Sequence, residues 1–267
     1  MPAPKNLFKA ALRQGDRPQI GLWLNTGEPL MAELAGTAGY DWLVIDGEHG
    51  PNDLRSIVSQ LQALGTSSAE AVVRPPMGET WMIKQLLDVG ARTLLVPMVD
   101  TADQARELVK AVRYPPHGIR GVGAAVARAS AFNTIPDYAD TAGDEICLLV
   151  QVETRAAIED LENIVAVDGI DGVFIGPADL SADMGYIGRI EAPEVQSVIE
   201  KALATITAGG KAAGILTFNE ALNLRYIELG ARFVAVGSDV AEFAAALRNL
   251  AMRYGRGEIA SKAGSSY

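Results

Sequence analysis

A chain of 267 residues with 49% apolar, 21% charged and 6% aromatic residues has the make-up of a folded globular protein of one or two domains, not of a disordered, collagen-like or coiled-coil chain. Its 23 Lys and Arg stand against 33 Asp and Glu, a net charge of −10, so neither nucleic acid nor an anionic membrane surface is an expected partner. The one cysteine, Cys147, lies in the apolar run 146–150, where a buried and inert thiol is expected and no intrachain disulfide can form. No stretch approaches the roughly 20 apolar residues of a membrane span, and the first residues lack a signal-peptide run, so a cytoplasmic protein is expected.

Eight short runs rich in Val, Ile and Leu recur along the chain, over residues 19–25, 42–46, 71–74, 93–98, 146–152, 172–176, 211–216 and 233–237. Near-continuous apolar content suits parallel strands, which are buried on both faces. Amphipathic helical patterns lie between them. After the second run, Asn52 is placed to cap a helix whose Leu54, Ile57, Val58 and Leu61 share one face. Thr101 after the fourth run and Ser238 after the eighth are placed likewise. Gly39, Gly65, Gly90, Gly209 and Gly230 stand just past helical patterns, where a left-handed cap is expected.

Eight such units in about 250 residues predict a single-domain α/β fold, a closed (β/α)₈ TIM barrel over residues 1–255 with a loose polar tail over 256–267. Residues 86–92, Leu-Leu-Asp-Val-Gly-Ala-Arg, echo residues 226–232, Tyr-Ile-Glu-Leu-Gly-Ala-Arg, half a barrel apart. An open doubly wound sheet would carry a glycine-rich phosphate turn after its first strand, and Asn25-Thr26-Gly27-Glu28-Pro29 is not one. The longest irregular stretch, 114–135, is expected to be functional or to hold a short helix.

Active sites of such barrels are built at the C-terminal ends of the strands, which shortens the list of candidates. Glu153 and Asp179 each follow an apolar run. Two carboxylates at close range repel, and a divalent cation of the Mg²⁺, Mn²⁺ or Co²⁺ type resolves that; the alternative is that both cap the helices that follow. Asp46, Glu48 and His49 follow the second strand, where an Asp–His contact would hold the imidazole as a proton carrier, or where His49 is simply a surface residue. Arg74 ends the third strand and would meet an anion, an enolate or a structural carboxylate. The Gly237-Ser238 turn opens the last helix, a common place for phosphate in barrels, although glycine there also serves the turn itself. No lysine lies at the C-terminal end of an expected strand, which argues against a Schiff base.

Taken in order, Asp46-Gly47-Glu48-His49, Arg74-Pro75-Pro76, Val96-Pro97-Met98-Val99, Gln151-Val152-Glu153-Thr154 and Gly176-Pro177-Ala178-Asp179-Leu180-Ser181 resemble the hydroxy-keto-acid aldolases typified by 4-hydroxy-2-oxoheptanedioate aldolase. These are metal-dependent class II pyruvate aldolases. The resemblance implies a barrel whose C-terminal helix is exchanged between subunits, within a homohexamer built as a trimer of dimers. It implies a Glu153–Asp179 site for Mg²⁺, Mn²⁺ or Co²⁺, catalytic His49, Asp46 and Arg74, and a substrate pocket that includes Arg74, Gln151, Ala178, Asp179 and Leu216. The implied reaction is reversible cleavage of 4-hydroxy-2-oxo acids to pyruvate and an aldehyde through a metal-stabilised enolate. 2-Dehydro-3-deoxyglucarate aldolase is the alternative, and a citramalyl- or malyl-CoA-type lyase a more distant one that the absence of a basic cluster disfavours. The residues Leu216-Thr217-Phe218-Asn219 and Pro75-Pro76-Met77-Gly78-Glu79-Thr80 depart from the family pattern at the aldehyde end.

Overall fold

In the computed structural model, which describes residues 1–256, the eight runs are eight parallel strands closed into a barrel in sequence order. They are β1 (Gln19–Leu24), β2 (Trp42–Asp46), β3 (Glu70–Arg74), β4 (Thr93–Val96), β5 (Cys147–Val152), β6 (Gly172–Ile175), β7 (Ala212–Leu216) and β8 (Ala231–Ser238). The (β/α)₈ fold is therefore as expected. β4 stops two residues short of expectation because Pro97 has no N–H to give the ladder and Met98 turns left-handed, with φ 57°. Most of the tail expected over 256–267 lies outside the described residues.

Large aromatic side chains fill the inside of the barrel. Trp23, Trp42, Phe174 and Phe233 pack with ring centroids between 5.4 and 6.0 Å apart. Glycines opposite these rings make the room: a Cβ on Gly214 would lie 2.2 Å from the Phe233 ring, and one on Gly21 would lie 2.3 Å from Trp42. The N-terminal helix Leu7–Gln14 sets Phe8 against Trp42 and Phe233, so this end of the barrel is plugged. Cys147 is buried inside, as expected.

Thr101 and Ser238 cap their helices as expected. Asn52 does not. Asp53 is the cap, accepting from the backbone N–H groups of Arg55 and Ser56, while Ser56 Oγ accepts from the Asp53 N–H. Asn52 instead donates to the Asp46 carbonyl at 2.8 Å and ties the end of β2 to the helix Leu54–Ala63. Gly39, Gly90 and Gly230 are left-handed, with φ of 92°, 102° and 100°. Gly65 is not, because it sits inside the short 3₁₀ turn Leu64–Thr66, and at Gly209 the left-handed role passes to Gly210.

The stretch 114–135 joins the helix Ala102–Val112 towards β5, so it runs over the rim at the N-terminal ends of the strands. It holds two short 3₁₀ turns, Ala124–Val126 and Arg128–Ser130. Its fully buried Arg120 donates to Asp88 at 2.8 Å and stacks on the Tyr114 ring, which pins the stretch to the end of the helix Thr80–Asp88. The C-terminal helix, Asp239–Arg253, buries only Asp239 and leaves Val240, Phe243, Leu247, Leu250 and Met252 exposed.

Candidate active site

A cavity of about 780 Å³ opens at the C-terminal ends of the strands. Asp46, His49, Arg74, Gln151, Ala178, Asp179 and Leu216 all line it, so the expected substrate and catalytic residues converge on one space. Among those expected, only Glu153 lies behind the wall: it is 3% exposed and bonded to Gln151.

The register of the barrel sets Asp46 directly beside Arg74, and their side chains lock together. Arg74 donates from Nε and Nη2 to the two oxygens of Asp46 at 2.9 and 2.8 Å. Glu48 takes the third face of the guanidinium, Oε2 to Nη1 at 2.7 Å. The cation also lies 5.3 Å from the Trp23 ring. This paired, planar fork is a lysine-incompatible arrangement. Burial raises the Glu48 carboxyl above its ordinary range against the opposing pull of Arg74.

The imidazole of His49 is not on Asp46. Asp46 Oδ1 accepts from Arg74 and from the backbone N–H of Glu48, and Oδ2 accepts from Arg74 and Asn25. With its oxygens so engaged, Asp46 meets His49 only through the backbone N–H, at 3.4 Å. The ring is 66% exposed, with Nε2 3.9 Å from Glu48. Of the two readings that spacing left open for His49, the exposed ring matches the surface residue, and Asp46 pairs with Arg74.

Glu153 accepts from the backbone N–H of Met98 at 2.7 Å and from Gln151 Nε2 at 2.6 Å. The left-handed turn at Met98 aims that N–H, a use of a strained non-glycine residue that no local pattern announces. Gly176 leaves space for the carboxylate, since a Cβ there would lie 2.6 Å from Glu153 Oε2. Burial raises the Glu153 carboxyl to about 7, with Glu48 and Asp179 adding repulsion. Asp179 stands in the first turn of the helix Pro177–Asp183, on the exposed side of the same wall. Glu153 and Asp179, two carboxylates close enough to repel, are a donor pair that fits a divalent cation completed by substrate and water oxygens. Among the described residues no cluster of three or more His, Cys, Asp and Glu side chains forms a self-sufficient cage.

The Gly237-Ser238 turn does not offer a phosphate site. The Asp239 carboxylate occupies it, accepting from Val240 N–H at 2.7 Å and from the N–H groups of Asn25 and Thr26. An anion would meet a buried negative charge there. Asn25, Glu48, Met98 and Asp239 are the parts of the site that sequence reasoning did not assign.

The HpcH/HpaI aldolase/citrate lyase family matches residues 19–246. The chain is 71% identical over 267 residues to a hydroxypyruvate/pyruvate aldolase of Agrobacterium fabrum, covering 100% of each chain. It is 57% identical over 260 residues to a 4-hydroxy-2-oxo-heptane-1,7-dioate aldolase of Escherichia coli, covering 97% of this chain and 99% of that one. A solved structure of an HpcH/HpaI aldolase/citrate lyase family protein from Burkholderia cenocepacia superposes with a TM-score of 0.91 at 40% identity, covering 94% of this chain and 100% of that one.

Proposed function

Because the chain belongs to the HpcH/HpaI aldolase/citrate lyase family, we propose that it is a class II carbon–carbon lyase, cleaving 4-hydroxy-2-oxo acids reversibly to pyruvate and an aldehyde. The identity to a hydroxypyruvate/pyruvate aldolase supports hydroxypyruvate as a second nucleophile. The observation that carries the reading is Arg74, a desolvated cation held in one plane by Asp46 and Glu48 at the wall of a cavity that also presents Asp179 and Gln151.

Glu153 and Asp179 would hold the divalent cation, Mg²⁺, Mn²⁺ or Co²⁺. When bound, it supplies Lewis acidity to the oxygens of a 2-oxo acid. Ala178 and Asp179 are the second and third residues of a helix, where backbone N–H groups have no partner within the helix, and these receive the pyruvate carboxylate. Gln151 orients Glu153 through its amide. Arg74 would stabilise the keto oxygen, where negative charge appears only as the C–C bond breaks and His49 takes the hydroxyl proton, so its contribution falls on the transition state. His49, exposed at the mouth of the cavity, carries the proton to and from the aldol hydroxyl. Leu216 supplies an apolar wall beside the aldehyde.

The exposed apolar residues of the C-terminal helix are the surface for a second copy of this chain, and helix exchange within a homohexamer is the proposed assembly. No described helix is long and apolar enough to cross a membrane. Small 2-oxo acids are metabolites of the cytoplasm, the proposed location. The test is pyruvate in deuterium oxide with and without added metal: deuterium enters the methyl group only when metal is present. Binding without exchange contradicts the reading.

A further inference from the structure

We propose that Asn25 and Asp239 are positioning residues for Arg74, a strut that ties the C-terminal helix to the catalytic arginine. The proposal rests on the role of Arg74 given above.

The strut has three joints. Asp239, the first residue of the C-terminal helix, is 5% exposed. Its Oδ1 accepts from Asn25 N–H at 2.8 Å, and its Oδ2 from Thr26 N–H at 3.2 Å and Thr26 Oγ1 at 2.8 Å. A helix N-terminus holds such a carboxylate in place. The loop after β1 is thereby fixed at its first two residues. Asn25 then donates from Nδ2 to Asp46 Oδ2 at 2.6 Å. That oxygen also accepts from Arg74 Nη2 at 2.8 Å, while Oδ1 accepts from Nε.

A carboxylate has one soft torsion, and its rotation would carry the guanidinium plane with it. Asp46 is wholly buried, so its orientation is set by its few donors: the backbone N–H groups of Glu48 and His49 and Arg74 Nε at Oδ1, and Arg74 Nη2 and Asn25 at Oδ2. The Asn25 amide holds the torsion at Oδ2, the oxygen that also accepts from Arg74 Nη2. Without it, the fork can tilt away from the enolate oxygen while Asp46 and Arg74 stay paired. A change in the seating of the C-terminal helix reaches Arg74 by the same path. Nothing about Asn25 suggests a direct chemical role: a neutral amide does not ionise to act as acid or base, but it has two donors with a fixed geometry.

The test is a double-mutant cycle read by deuterium exchange into pyruvate with saturating metal. Asn25→Ala should lower kcat for exchange roughly tenfold with the pyruvate KM changed less than about twofold, because a misaimed stabiliser costs the transition state rather than binding. Asp239→Ala should do the same by releasing the loop, and provides the second reading if Asn25→Ala does not fold. On an Arg74→Lys background, which lacks the planar fork, either substitution should change kcat by less than about twofold. The same tenfold loss on that background, or wild-type kcat in both single variants, overturns the strut. Wild-type exchange by Arg74→Ala itself would instead overturn the role of the arginine on which the strut depends.

Discussion

Arg74 and Asp46 are register partners on adjacent parallel strands, and their side chains meet through two hydrogen bonds of 2.9 and 2.8 Å. Neither is free to leave: Asp46 is fully buried, and Arg74 is 7% exposed with Glu48 on its remaining face. A guanidinium so buried is tolerated because two carboxylates pair with it. Its place at the cavity wall is what the proposed role, stabilising an enolate oxygen, rests on.

Arg74→Ala should therefore lower kcat for aldol cleavage by roughly 10²–10³, the cost of losing one oxyanion donor, while leaving metal affinity nearly unchanged. Arg74→Lys should recover little, because an ammonium cannot span Asp46 bidentately. Steady-state kinetics beside a metal titration of the folded variants makes the comparison. Near-normal turnover by Arg74→Ala contradicts the assignment.

Glu153 gives a pH dependence with a definite sign. Burial raises its carboxyl from 4.5 to about 7 in the fold, so between those values the folded state binds the proton that the unfolded chain releases. The metal-free protein should lose stability as pH rises through this window, by about 3 kcal/mol from this group. Urea unfolding in EDTA between about pH 5 and 8 measures it, and Glu153→Gln should remove most of the slope. A wild-type midpoint that rises over this range would contradict the desolvation of Glu153. The same proton competes with the cation, so metal affinity should weaken as pH falls below about 7.

The C-terminal helix predicts self-association. Phe243 and Leu247 are 54% and 51% exposed on a helix that buries only its first residue. Phe243→Asp with Leu247→Asp should reduce the particle mass seen by light scattering and lower the melting temperature, with little change in the barrel's secondary structure. A wild-type monomer at micromolar concentration rules out helix exchange.

How much of this was readable in advance depends on the range of the interaction. The strands were legible because parallel strands buried on both faces are written as unbroken apolar runs, and the rim residues because each stands at the end of such a run. Asp46, Arg74, Gln151, Glu153 and Asp179 were found in this way. Their pairing was not. Whether Asp46 serves His49, three residues on, or Arg74, on the next strand, depends on register, which local spacing does not carry. Asn52 and Asp53 are both good caps one residue apart, and the choice between them was made by the Asp46 carbonyl, which needs the Asn52 amide. Met98 is a non-glycine residue in a left-handed turn, its N–H bonded to Glu153 on the next strand's end. Asp239 reads locally as a favourable charge at a helix start. Only the fold brings it against Asn25, which lies 214 residues earlier.

Two chemical routes lead to a pyruvate enolate, and one measurement separates them. A lysine route leaves an iminium that borohydride traps on the protein, whereas a cation route is silenced by chelation. Lys211, which directly precedes β7 at the rim away from the cavity, donates to the Ile170 carbonyl, and no lysine lines the cavity among the described residues. The aldolase should lose all activity in EDTA and regain it with Mg²⁺, Mn²⁺ or Co²⁺. Its mass should not change after treatment with pyruvate and borohydride, and Glu153→Ala and Asp179→Ala should each reproduce the effect of EDTA in a folded barrel. Full activity in EDTA, or a pyruvate-sized adduct after reduction, would contradict the carboxylate metal site and the mechanism built on it.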